Sequence, residues 1–170
     1  MKARHFFAGT TTHQGFVDYF DSIGGTDVYI LKGCPGSGKS TLLKKIVSRF
    51  QGKCDIEYFH CAADPTSLDA VRLIFPNRSV SVIDGTHPHN IDPKKTDNVI
   101  KMTEDVFLPD VIRLENKKKL YFMQAQKMLK KAYLVHKQIE KKYSSSVNFD
   151  KISKKSEDLI QEIFGKSENT

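Results

Sequence analysis

The stretch Val28-Tyr-Ile-Leu-Lys-Gly33-Cys-Pro-Gly36-Ser-Gly38-Lys39-Ser40-Thr41 decides the fold class. It holds G-x-x-x-x-G-K-[ST] in full, from Gly33 through Gly38, Lys39 and Ser40. Upstream, Val28, Ile30 and Leu31 form a short apolar run rich in β-formers, which predicts a strand buried on both faces. Downstream, Leu42, Leu43, Ile46 and Val47 recur at helical spacing, with Lys44, Lys45, Ser48 and Arg49 on the wet side. Glycines between a strand and a helix let the backbone take φ > 0 and turn its N–H groups inward around phosphate oxygens. The helix start adds free N–H groups and positive dipole. Gly33, Cys34, Pro35, Gly36, Ser37, Gly38, Lys39, Ser40 and Thr41 are therefore the candidate nucleotide-binding set. Within it, Lys39 is expected on the β- and γ-phosphates and Ser40 on Mg²⁺. An ordinary glycine-rich turn with a chance lysine would not need both flanking elements.

The chain has 170 residues, 39% of them apolar and 10% aromatic, so a folded core is expected rather than disorder. No apolar run is long enough to cross a bilayer, and Met1-Lys-Ala-Arg-His-Phe-Phe7 lacks a signal-peptide layout. Cys34, Cys54 and Cys61 follow neither a disulfide framework nor a zinc spacing, which points to a reducing cytoplasm. Charge is uneven. Residues 1–110 balance 13 basic against 13 acidic residues, whereas 111–170 hold 14 against 7, the whole formal excess of +7. Such a tail is more often the solvated face of a lysine-rich helix than a nucleic-acid surface.

Read in order, residues 4–8 predict a strand entering a polar turn at Gly9 to Thr12, and residues 15–20 a short helix. The phosphate-loop helix is expected to end near Phe50 and Gly52. Ile56 to Cys61 predicts the next strand, the turn 62–66 follows it, and Ser67 to Val71 is expected to open a helix. Val80 to Ile83 predicts a strand ending in Asp84-Gly85. Residues 86–95 read as a loop and 97–106 as a short helix. From about Leu114, Tyr121, Ala125, Met128, Ala132, Val135 and Ile139 repeat as a heptad seam. Ser144 to Ser146 breaks that helix, Asn148 or Asp150 caps the next, and Gly165 stops it. The expected organisation is an α/β core over 1–112, with a mostly parallel sheet flanked by helices. A lysine-rich helical hairpin over 113–170 would pack on that core or on a partner.

An apolar strand ending in Asp84, downstream of a complete phosphate loop, has the form of Walker B, so Asp84 is a second candidate Mg²⁺ ligand. Hydrolysis also needs a group that orients water. Many ATPases carry a glutamate directly after the metal aspartate; here that position is Gly85. Asp64, Asp69 and His87 remain as candidates, with Asp64 first. A kinase would use the same Asp64 on an acceptor hydroxyl, beside His60 and His87. The histidines 60, 87 and 89 with Asp84 do not follow a transition-metal spacing, and they read better as crevice lining. Cys34, inside the loop, is a small residue at a tolerant position. No N-K-x-D motif follows the third strand, so ATP is expected over GTP.

The pieces Arg4-His-Phe-Phe-Ala-Gly9, the phosphate loop, Glu57-Tyr-Phe-His-Cys61 with Asp64 and Ser67-Leu-Asp69, and Asp84-Gly-Thr-His-Pro-His89 resemble a bacterial family. It comprises P-loop ATPases of uncharacterised function, with two homologous halves in tandem. The resemblance spans most of residues 4–143 and covers a single half. It implies an ATP-binding P-loop fold; with a single half present, the chain is expected to pair with itself as a homodimer or with a second P-loop half, or to be a truncated member. The expected activity is Mg²⁺-dependent ATP hydrolysis, with Lys39, Asp64 and Asp84 carrying the chemistry. A small-molecule or nucleotide kinase is the alternative, and a non-catalytic nucleotide-sensing or nucleic-acid-associated module is a third class.

Overall fold

A computed structural model describes residues 1–89, 91–103 and 109–167. Strands β1 (Ala3–Phe6), β4 (Asp27–Lys32), β5 (Asp55–His60), β6 (Leu68–Ile74), β7 (Ser79–Asp84) and β8 (Asn98–Lys101) form one sheet. Its order is β1-β5-β6-β7-β4-β8. Strands β2 (Gly9–Thr12) and β3 (Gly15–Asp18) form a separate antiparallel pair. Helix α1 (Lys39–Phe50) follows the glycine loop, and α2 (Pro109–Ser144) and α3 (Phe149–Ser167) close the chain. Contacts divide the molecule into two compact units, residues 1–130 and 131–170. The boundary expected at 112/113 falls inside the first turns of α2.

The class is α/β as expected, but the sheet is mixed. β6 runs antiparallel to both neighbours, whereas β1–β5, β4–β7 and β4–β8 pair in parallel. Connection length explains this. A parallel return needs a crossover of about a dozen residues or more, and the links 61–67 and 75–78 on either side of β6 allow only tight reversals. Of residues 67–71, expected to open a helix, 68–71 accordingly form the start of β6.

Alternation along the strands separates two apolar faces. On one, α1 presents Leu43 and Val47 to Leu31, Ile56, Val71, Leu73 and Val82. On the other, Ala8, Phe20, Ile23 and Ile91 cover Ile30, Phe59, Ala70 and Ile83. A helix therefore covers one face only. The second cover comes from the segment expected to hold a turn at 9–12 and a helix at 15–20. It is instead the β2–β3 pair followed by a 3-10 turn at Phe20–Ser22. Gly15, at φ +127°, makes the reversal, and the Thr12 hydroxyl donates to the Gly15 carbonyl at 2.9 Å. The helix expected over 97–106 is also absent from its described part. Asn98 to Lys101 pairs with the otherwise open edge of β4, and residues 104–106 lie outside the described residues.

The tail is helical as patterned, with two differences. Asn148 Oδ1 accepts the Lys151 amide at 2.9 Å, so Asn148 is the cap of α3, and α3 runs past Gly165 to Ser167. The heptad seam does not bury. Tyr121 and Met128 are exposed in the first unit, and Val135 and Ile139 in the second. In the first unit the two sheet faces are covered by α1 and by Ala8, Phe20, Ile23 and Ile91. Among the described residues no helix is long and apolar enough to cross a membrane.

Candidate active site

Local sequence builds the loop. Gly36 and Gly38 take φ +84° and +86°, a region that costs L-residues with a Cβ about 1 kcal/mol or more. Gly33 is needed for space instead: a Cβ there would lie 2.8 Å from Ser37 Oγ. Gly38 caps α1, and its carbonyl accepts the Leu42 amide at 2.9 Å. Cys34, Pro35, Gly36, Gly38 and Thr41 are exposed, so the loop backbone faces solvent.

Lys39 opens α1 but turns back under the loop and is buried. Its Nζ donates to the Gly33 carbonyl at 2.6 Å, the Cys34 carbonyl at 3.0 Å and Ser37 Oγ at 3.4 Å. Asp84 Oδ2 stands 3.7 Å from the same nitrogen. Sheet register makes that contact: Leu31 pairs with Asp84, and the Gly85 amide donates to the Leu31 carbonyl at 3.0 Å. The aspartate that ends β7 is thereby held beside the lysine that follows β4. Asp84 Oδ1 accepts the Thr86 amide at 2.9 Å. Ser40 Oγ accepts the Leu68 amide at 3.0 Å, tying the start of α1 to the start of β6. One lone pair and the proton of that hydroxyl remain for other partners.

Two residues that sequence reasoning passed over brace this arrangement. Lys32 Nζ donates to the Gly85 carbonyl and, at 3.2 Å, to the Ile91 carbonyl. Thr86 Oγ1 donates to the Gly33 carbonyl at 3.1 Å, sharing that acceptor with Lys39. A charged residue closing an apolar strand was the available signal for Lys32. Gly85 now has a steric reason. A Cβ at this position would stand 2.4 Å from Ile30 Cγ2 and 3.2 Å from Lys32 Nζ. No side chain fits directly after Asp84, a glutamate included.

Asp64 is exposed and committed to its own turn. Oδ1 accepts the Thr66 amide at 3.1 Å and the Thr66 hydroxyl at 2.6 Å, and Oδ2 accepts the Ser67 hydroxyl at 2.6 Å. Those hydroxyl bonds, Ser67 foremost, hold its carboxyl below the usual carboxylate range. Among the described residues no contact joins it to the glycine loop. His60 donates from Nδ1 to the Pro65 carbonyl at 2.8 Å, leaving Nε2 to accept from His5 Nδ1 at 2.8 Å. His87 is exposed. Thr12 is used in the β2–β3 turn, and Cys34 Sγ lies 3.6 Å from Thr103 Oγ1.

Asp69 and His89 form the one buried acid–imidazole pair among the described residues. His89 Nε2 stands 3.2 Å from Asp69 Oδ2, with both side chains largely out of water. The Cys61 thiol faces Asp69, and burial pushes that thiol up, so it stays protonated. Among the described residues, no group of three or more His, Cys, Asp or Glu is arranged to hold a metal ion. Comparison with family models, with curated proteins and with solved structures finds no match to this chain.

Proposed function

We propose that the chain is a P-loop NTPase that binds Mg²⁺–ATP and hydrolyses it. One observation carries this reading: β4, the glycine loop and α1 bring Lys39 Nζ under the loop, 3.7 Å from the carboxylate that ends β7. Phosphate oxygens arriving at the exposed loop backbone would replace the Gly33 and Cys34 carbonyls as acceptors for Lys39. An ammonium released from two carbonyls to an anion gains a charge-assisted bond for each neutral one it gives up.

The donor set suits Mg²⁺. That ion keeps several waters and takes one or two carboxylates plus substrate phosphates rather than an all-protein cage. Asp84 supplies the carboxylate and Ser40 a hydroxyl with a lone pair left after the Leu68 bond. The bound ion would neutralise charge on the transferring phosphoryl group. The mixed sheet does not oppose the reading, because β4 and β7, which carry the loop and Asp84, are parallel neighbours.

The test is phosphate release from Mg²⁺–ATP by the wild type and by Lys39→Ala, with bound nucleotide measured in parallel. Release that needs Lys39 supports the ATPase. Tight Lys39-dependent binding without release would move the kinase reading ahead. Absence of nucleotide binding by the wild type would overturn the proposal.

A further inference from the structure

We infer that His89, oriented by Asp69, is the base that accepts a proton from the attacking water. This rests on the ATPase reading above and names a residue pair for it. With Nε2 aimed at the Asp69 carboxylate, neutral His89 carries its proton on Nε2 and a bare lone pair on Nδ1. Nδ1 is sealed from solvent and, among the described residues, has no hydrogen-bond partner. The ring is only 7% exposed, and the Phe20 and Phe16 rings lie 4.2 and 5.3 Å from it, centroid to centroid. An unsatisfied buried polar atom costs about 1–3 kcal/mol, and one kept in a folded protein asks for a use. A neutral imidazole with a free lone pair, backed by a carboxylate and walled by apolar rings, has the makings of a general base.

Its position suits the role. The segment carrying His89 is clamped at both ends by Lys32, through the Gly85 and Ile91 carbonyls, and Thr86 pins it to Gly33 of the loop. Asp69 directly follows Leu68, whose amide is bonded to Ser40. Each half of the pair is thus tied to the phosphate loop or to its helix. The other candidates fall away on geometry: position 85 admits no side chain, both Asp64 oxygens serve a turn, and His87 is in open solvent.

For water to reach Nδ1 the apolar wall must open, and of its two rings Phe16, 37% exposed on the β2–β3 pair, is the one nearer solvent, Phe20 being buried. The water oxygen then bonds to the γ-phosphorus as the bond from that phosphorus to the β,γ-bridging oxygen breaks. The electron pair of the broken bond leaves on ADP, and one water proton passes to His89 Nδ1. Asp69 balances the imidazolium until it returns the proton to solvent with phosphate. His89 is the catalytic residue of the pair and Asp69 its positioning residue.

The experiment uses the full chain with Mg²⁺–ATP, comparing wild type, His89→Gln and Asp69→Asn for phosphate release and for ATP affinity. Imidazole ¹⁵N resonances are read with and without Mg²⁺–ADP–aluminium fluoride. The expected results are a loss in kcat of about 100-fold or more in His89→Gln, nucleotide affinity within about twofold of wild type, and a shift of the His89 Nδ1 resonance on adding the fluoride complex. Asp69→Asn is expected to change the His89 tautomer signature and to lower kcat with nucleotide affinity kept, whereas a merely structural aspartate would leave kcat in the folded variant alone. Wild-type release that persists within about threefold in folded His89→Gln overturns this inference while leaving the ATPase intact. If His89→Gln does not fold, an unmoved wild-type Nδ1 resonance overturns it. Wild type that binds ATP without releasing phosphate overturns the base, and wild type that binds no nucleotide overturns both proposals.

Discussion

Replacing Gly85 by alanine tests the packing that keeps any side chain from the position after Asp84. The backbone at 85 is not in the left-handed region, so the cost comes from space alone. The added Cβ would stand 2.4 Å from Ile30 Cγ2, and Ile30 is fully buried between β7 and β8. It cannot retreat without moving core. Overpacking of this kind costs about 1–3 kcal/mol. The same Cβ would lie 3.2 Å from Lys32 Nζ and 3.3 Å from its Cε, displacing the ammonium from the Gly85 carbonyl. A charged hydrogen bond contributes about 1.5–3 kcal/mol, and Lys32 keeps part of it through Ile91. The two effects share one displacement, so Gly85→Ala is expected to destabilise by about 2–4 kcal/mol. At about 2–4 °C per kcal/mol for a chain of this size, Tm falls by roughly 5–15 °C. Urea unfolding measures it, with Gly24→Ala as the control, because a Cβ at Gly24 meets nothing within 4 Å. If Gly85→Ala falls within about 0.5 kcal/mol of that control, the steric account of the empty position is wrong.

Ser40→Ala leaves the buried Leu68 amide without its acceptor, so nucleotide-free protein should lose about 1–3 kcal/mol in urea; Ser40→Thr, which keeps the oxygen, should lose less. Equal stability of Ser40→Ala and wild type would show that this bond is not formed in solution. The carboxyl of Asp64 is held low by Ser67 and Thr66, so its ionised form favours the folded turn. That contribution is present above the ordinary carboxylate range and is lost as pH falls through the lowered folded value. Amide-exchange protection at Thr66 and Ser67, corrected for the intrinsic pH dependence of exchange, should therefore drop as pH falls below the ordinary carboxylate range. In Asp64→Asn it should be low and flat, and an unchanged acid profile in that variant would refute the assignment.

The glycine loop, its strand and its helix were legible because each rests on local signals. Glycine at positive φ, apolar residues at helical spacing and a β-rich run are short-range chemistry, and they form where expected at β4 and α1. The Asp84 position was legible for the same reason, as the end of an apolar strand. The direction of β6 is a matter of connection length, which is visible in the sequence only after the strands on either side are known. Asp64 was ambiguous in the sequence because an aspartate before proline after a strand looks alike whether it serves a turn or a reaction. Only its hydrogen bonds to Thr66 and Ser67 separate the two.

Residues near one another in the chain thus determined the strand and helix that flank the glycine loop, the strand that ends in Asp84, and the helical tail with its cap at Asn148 or Asp150. The tertiary structure alone decided that β6 is antiparallel, that position 85 must be glycine, that Lys32 braces the loop, and that Asp69 meets His89. Those outcomes depend on which segments of distant sequence share a sheet register or an apolar face. Local propensity cannot encode them, because the atoms that exclude a side chain at Gly85 belong to Ile30 and Lys32, on the neighbouring strand.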